Sequence, residues 1–405
     1  MKQVYLFLLL SILSSCSYLD SFRIFDSTNN TKQFDSINVE RLWSEDIGKD
    51  RSFKTGVLQP HFLDGVVYTI DSDGLISSVD QKNGNTLWSY DLNKEVSSGL
   101  SVHNNIVYFG TNDGKFYGFD LQKISSSSGI FETIDIFGFF QQEKVEPYLV
   151  MQLTSTVSSV ALAIDQLLFI KLDDGDTVAI NSISKDIEWI YKGRNVPLSI
   201  KGSGSIAHSN NKIFVARDDG NLVSLNTDTG KLNWLISISA RSGRNELESL
   251  RDVEMTPFVQ DGIVYAASYQ GNLVAVDILT GNLVWSMPMS VLSNIDVDMK
   301  NVYVSDTNGN IFAIDKYTGD VAWKTVLWKS KVREKYSATQ THVFQEYIVS
   351  LSTDGHIIII DKISGELLTF KEVISDIEPQ SEGVLLDKIL YIITKNGRLN
   401  AIKIN

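Results

Sequence analysis

The sequence predicts an all-β protein: an eight-bladed β-propeller of four-stranded antiparallel blades, closed by an N-terminal strand. Three observations carry the prediction. A motif returns roughly every forty residues, apolar and polar residues alternate in short runs within each copy, and the final copy stops one strand short of completion.

The motif is clearest in "SDGLISSVDQKNGNTLW" (72–88), "DDGNLVSLNTDTGKLNW" (218–234), "YQGNLVAVDILTGNLVW" (269–285) and "TNGNIFAIDKYTGDVAW" (307–323). Each copy runs from Gly through five residues to Asp or Asn, three more to Gly, and three more to Trp. Weaker copies begin at Gly114, whose tryptophan is lost, and at Gly175, where Asp186 stands near the second glycine's place. Another begins at Gly355, with Thr369 and Phe370 where tryptophan would sit, and a last one opens at Gly397 and stops at Asn405. That makes eight copies with leading glycines 38 to 61 residues apart. Such a period signals units that bury their apolar faces only against neighbours.

Taken in chain order, the amino terminus is a separate object. Lys2 is followed by an apolar run from Val4 to Leu13, too short for a permanent bilayer span and the right length for a signal-peptide core. It ends in Leu13-Ser14-Ser15-Cys16, which resembles the bacterial lipobox, where small residues precede a cysteine that is acylated before cleavage. Residues 1–15 are therefore expected to be a lipoprotein signal peptide and Cys16, the single cysteine, the lipidation site. The other reading is an ordinary signal peptide with an incidental cysteine. Residues 16–38 are polar, lack sustained periodicity and read as a lipidated, flexible tether. The propeller is expected over 39–405, and with no cysteine to pair it must be stabilised by packing.

Within the first copy, "GVVYTI" (65–70), "LISSV" (75–79) and "NTLWSY" (85–90) read as strands separated by "DSDG" and "DQKNG" turns, where Asp-Gly and Asn-Gly supply positive φ for tight hairpins. A preceding short run, as in "SGLSVH", "SIAHS" and "TPFVQ", adds a fourth strand per unit. Four antiparallel strands repeated eight times fit a propeller, because a helical solenoid would show a 3.6-residue period. Residues 124–160 lengthen one unit. Their serine run reads as loop, and Phe137, Phe139 and Phe140 as either a degenerate blade strand or a second contact surface. Since the last copy lacks its tryptophan strand, "NVERLWSEDIG" around Trp43 is expected to complete the final blade and seal the ring.

The acidic turns invite a metal reading that their repetition removes. Asn226-x-Asp228-x-Gly230 has the start of a calcium loop, but the twelfth position is Ser237 instead of a carboxylate. Asp80, Asp120, Asn226, Asp277, Asp315 and Asp361 are expected to accept turn hydrogen bonds, with the tryptophans packed between blades. The five histidines are scattered without ligand spacing, and no nucleophile elbow or phosphate loop occurs. No catalytic residue, cofactor or metal is therefore expected. A formal charge of −13 argues against nucleic acid and anionic membrane surfaces, leaving the lipid anchor as the only membrane attachment.

The repeat resembles the pyrroloquinoline-quinone-type propeller repeat, and together with the lipobox the chain resembles the BamB-type lipoproteins of outer-membrane β-barrel assembly. That resemblance implies a non-catalytic scaffold on the periplasmic face of the outer membrane, to which Ser17 after the cysteine also points by analogy. Its implied partner is the central barrel protein of the assembly complex, bound through periplasmic domains, with unfolded outer-membrane proteins as a further candidate. Two connections carry the resemblance further: "RNVPLSIKGSGS" (194–205) and "ARSGRNELESLRDVEMTP" (240–257). They are similar to the family's Leu-x-Leu-Arg-Gly and Asp-Val-Asp-x-Thr-Pro contact segments, with Ile200, Lys201 and Glu254 replacing Leu, Arg and Asp. The implied partner-binding residues are Leu198, Ile200, Lys201, Arg251, Asp252 and Glu254. Strand parity puts both connections on one end of the propeller, in adjacent blades. The alternative for this segment is that Leu198 and Ile200 fold back onto the blade tops. At the level of function, the alternatives are a quinoprotein-like cofactor-binding enzyme and a structural envelope lipoprotein without an assembly role.

Overall fold

A computed structural model describes residues 22–26, 36–48, 59–128, 144–194, 204–239, 255–329, 334–335, 338–375 and 383–405. They form eight sheets, each built on four antiparallel strands in chain order from the channel outward, giving an eight-bladed propeller. Blades 1 to 7 span 61–91, 101–152, 162–191, 206–237, 258–288, 296–329 and 342–372. Blade 8 takes three strands from 384–404 and its outer strand from Val39–Asp46. Turns between second and third strands, with the blade-to-blade connections, make one rim, the upper. Turns between first and second strands and between third and fourth make the lower.

The burial pattern follows from blades stacked face to face. Second and third strands such as Ile263–Ala267 and Asn272–Asp277 are buried on both faces, so they read as runs of Val, Ile and Ala without alternation. Outer strands such as Leu283–Pro288 keep one buried face and one exposed. In six blades the third and fourth strands slip register just before the tryptophan position, which Thr369 fills in blade 7, as between Ala275 and Val276, which face Trp285 and Leu283. This bulge adds twist and turns the indole toward the next blade.

Four of the indoles then meet the next blade's second glycine; blade 2, with a helix after Asp120, offers none to Trp88. A Cβ on Gly230, Gly281, Gly319 or Gly365 would lie 2.5 to 2.9 Å from the indole of Trp189, Trp234, Trp285 or Trp323. The four Nε1–H groups donate to the carbonyls of Thr227, Ile278, Lys316 and Lys362, at 2.9 to 3.1 Å. Those carbonyls follow the repeated Asp or Asn of the turn, so one indole satisfies a backbone acceptor and fills an interblade gap. Two cross-blade ion pairs sit beside them, Lys316 Nζ with Asp261 at 2.7 Å and Lys362 Nζ with Asp298 at 3.5 Å. Burial is the largest single effect and works against the Lys316 charge, yet the hydrogen bond and charge of Asp261, with Tyr317, together raise the ammonium's pKa.

The ring closes as the short final repeat requires. Val39–Asp46 pairs antiparallel with Arg398–Ile404, from Val39 opposite Ile404 to Asp46 opposite Arg398. The same bulge recurs, between Arg41 and Trp43, and Trp43 lies over Gly84 of blade 1, where a Cβ would approach it to 2.5 Å. The seam thus repeats the standard interblade contact, although Trp43 Nε1 is buried without a partner.

Two local readings need correction. The serine run is helical: Leu121–Ser128 forms a helix whose Leu121, Ile124 and Ser128 are buried. Asp120 caps it through N–H groups of Gln122 and Lys123, using the hydrogen bonds that elsewhere close a turn. The fourth strand of blade 2 is Leu149–Gln152, paired with Lys115–Gly118, so that place is not filled by the Phe137–Phe140 cluster, which lies outside the described residues. In blade 3 Asp186 stands, as read, beside the second glycine's place, which Lys185 takes at φ 65°. In the stretch expected to be a tether, Phe22–Asp26 lies parallel to the outer strand of blade 6, Val321–Lys329.

Candidate partner-binding rim

The two connections singled out by sequence leave the outer strands of blades 3 and 4, on the upper rim. Leu198, Ile200, Lys201, Arg251, Asp252 and Glu254 lie outside the described residues, as does Cys16. Their anchor points are described, and they are firmly held.

The first connection starts against the upper turn of blade 3. Asp176 accepts from Gly193 N–H at 2.9 Å and from Lys192 Nζ at 2.6 Å, which raises the Lys192 pKa. Gly175 at φ 87° brings that turn so close that a Cβ would lie 2.8 Å from Arg194 O. The second connection starts at Ile238, whose N–H donates to Gly220 O at 3.0 Å and whose carbonyl accepts from the Asn272 side chain at 3.1 Å. At their far ends the connections meet. Ser205 N–H donates to Thr256 Oγ1 at 2.9 Å, and Thr256 N–H donates to Asn294 Oδ1 at 2.7 Å. Met255 is buried, with its sulfur accepting from Ala267 N–H. Two long connections therefore converge on one hydrogen-bonded point between blades 4 and 5.

Around the described ends of the first connection, at Tyr191 and Gly204, is a charged floor. Arg217 and Asp219 pair at 3.0 Å with both side chains largely buried, and the guanidinium lies 5.8 Å from the Tyr191 ring centroid. Lys171 Nζ donates to Gly204 O at 3.3 Å and faces Asp218 at 3.8 Å. The Arg217 Nε is buried without a partner. Removing one member of such a pair strands a charge, so the floor holds its shape stiffly. Sequence reasoning passed over Lys171 and Arg217; the available signal was a basic residue placed one or two positions before the paired acids of "KLDDG" and "RDDG".

The acids of the lower turns are already occupied. Asp277 accepts from the Leu279 and Thr280 N–H groups at 3.0 and 2.8 Å, and the Thr280 hydrogen bonds lower its pKa. Asp80, Asp315 and Asp361 accept the corresponding pairs, and Asn226 accepts from Thr229. Among the described residues no three His, Cys, Asp or Glu side chains are placed to hold a metal ion.

The sequence profile of the family described as outer membrane protein assembly factor BamB matches residues 32–125 and 146–325, more than half of the chain. This chain belongs to the BamB family. BamB of Yersinia pestis is 23% identical over 300 residues, covering 71% of each chain. BamB of Taylorella asinigenitalis is 26% identical over 386 residues, covering 93% of each. The crystal structure of BamB from Moraxella catarrhalis superposes with a TM-score of 0.74 at 20% identity, covering 90% of this chain and 99% of that one. That likeness shows a shared fold. The BamB-type propeller of this chain carries its connections on the rim described above.

Proposed function

We propose that this protein is a non-catalytic scaffold of outer-membrane β-barrel assembly, anchored through Cys16 at the periplasmic face of the outer membrane. On this reading the two connections grip the periplasmic domains of the central barrel protein. Leu198 and Ile200 supply apolar anchors, while Lys201, Arg251, Asp252 and Glu254 orient the partner by charge. Lysine at 201 gives a point charge in place of a bidentate fork, so its contact is the less directional one. The observation that carries the proposal is the Ser205–Thr256 hydrogen bond, which ties both connections to one point on one rim. Family membership supplies the assembly role.

The double change Leu198→Ala and Asp252→Ala is expected to cut co-purification of the barrel component by roughly tenfold or more, without changing the melting temperature. Unchanged recovery removes the site assignment. Cys16→Ser is expected to move the protein from the membrane to the soluble fraction, and continued membrane attachment would contradict lipidation. The quinoprotein alternative predicts an absorbance change on adding pyrroloquinoline quinone with calcium, and none is expected.

A further inference from the structure

We propose that the lower rim rests on the membrane through an apolar arc across blades 5 to 7, facing away from the partner-binding rim. This rests on the reading of Cys16 as the lipid attachment site. Two independent observations point to it.

The first is side-chain chemistry at one repeated position. The lower turns share a geometry in which the Asp or Asn side chain accepts N–H groups from the next residues. The second residue after it is Lys82 in blade 1, Gln122 in blade 2 and Asp228 in blade 4, so the turn does not call for an apolar side chain. In blades 5, 6 and 7 it is Leu279, Tyr317 and Ile363, which are 67%, 54% and 79% exposed. Met299, in the other lower turn of blade 6, is 82% exposed. Ile183 in blade 3 is also exposed, but Asp228 separates it from the arc. Consecutive apolar tips that the fold does not require mark a contact surface.

The second observation is strand register. Phe22–Asp26 runs parallel to the outer strand of blade 6, with Phe22 opposite Lys324 and Asp26 opposite Trp328. The outer strand starts at the lower turn and runs toward the upper rim. The amino end of its parallel neighbour therefore lies toward the lower rim, at the middle blade of the arc. Cys16 is six residues before Phe22, and six extended residues reach at most about 20 Å. An acyl chain on Cys16 would thus enter the bilayer within that reach of the lower end of blade 6, which carries Met299 and Tyr317. Asp277, Asp315 and Asp361 border the arc with lowered pKa values and stay ionised, so attraction to anionic headgroups does not drive the contact. The occupant is the apolar and zwitterionic surface of a bilayer.

The test uses the full lipidated protein in phosphatidylcholine vesicles containing nitroxide-labelled lipid. Acylation occupies the only native cysteine, so Met299→Cys, Ile363→Cys and Thr307→Cys each present one free thiol for an environment-sensitive dye. Thr307 is exposed on the upper turn of the same blade as Met299. Dyes at 299 and 363 are expected to shift to the blue and to be quenched several-fold more than the dye at 307. Equal quenching at all three positions in protein that floats with the vesicles would overturn the arc while leaving the lipid anchor in place. Failure of the protein to float would overturn the Cys16 reading and the arc with it.

Discussion

Residues at one repeat position behave alike only where the neighbouring blade lets them. Gly281 sits at φ 73° with a Cβ position 2.6 Å from Trp234, whereas Gly262 sits at φ 78° with nothing within 4 Å. Gly262→Ala meets left-handed strain alone and is expected to cost about 1–2 kcal/mol in urea denaturation. Gly281→Ala adds a clash with a buried indole and is expected to cost about 2 kcal/mol more. The missing tryptophans also have local reasons. Thr369 takes the tryptophan position of blade 7, and its hydroxyl bonds Ile37 N–H and carbonyl at 3.1 and 3.2 Å, because blade 8 ends without the glycine turn an indole would cover. In blade 2 the place is taken by Tyr148, which donates to Ser182 O at 3.0 Å under the Lys185 ammonium, 4.1 Å from the ring. The turn acids and tryptophans were legible from spacing. Tyr148 was not, since the inserted helix moves it far from the motif. Lys171 and Arg217 were not either, because their burial is set by Gly204 and Tyr191 of other elements.

At the scale of elements, the seam strand differs from every other outer strand in coming from the opposite end of the chain. Deleting residues 1–35 removes Phe22–Asp26 from the outside of blade 6 but none of the four strands of any blade, and this variant is expected to remain folded. Deleting residues 1–46 strips Val39–Asp46 from Arg398–Ile404 and leaves the edge of blade 8 open. That variant is expected to lose cooperative melting and to associate, as read by calorimetry and light scattering. Strands and closure were legible because alternation and repeat count bear directly on them. The helix Leu121–Ser128 was missed because a serine run carries little helical signal, and what orders it is burial of Leu121 and Ile124 against the neighbouring blade.

For the whole molecule, acid is the condition that tests the interior. His342, on the innermost strand of blade 7, is buried, and desolvation pushes its pKa down from 6.5 to about 4. Between those values the unfolded chain binds the proton and the folded one does not. Stability is therefore full above pH 6.5 and falls as the pH drops toward 4, with about 2 kcal/mol lost by pH 5. Asp296, which accepts Val343 N–H at 2.8 Å, has a pKa raised by burial and works in the opposite sense at lower pH. Urea midpoints at pH 7 and 5 should differ in the native protein and differ less in His342→Gln.

Sealing the circle with Val39–Asp46 also sets an order of events. Contacts such as Ser36 with Leu368 join residues 332 positions apart, so the first part of the chain to be made can settle only after the last part arrives. Until then the incomplete toroid has two raw ends, and a holdase chaperone that shields them would raise the yield of folded protein.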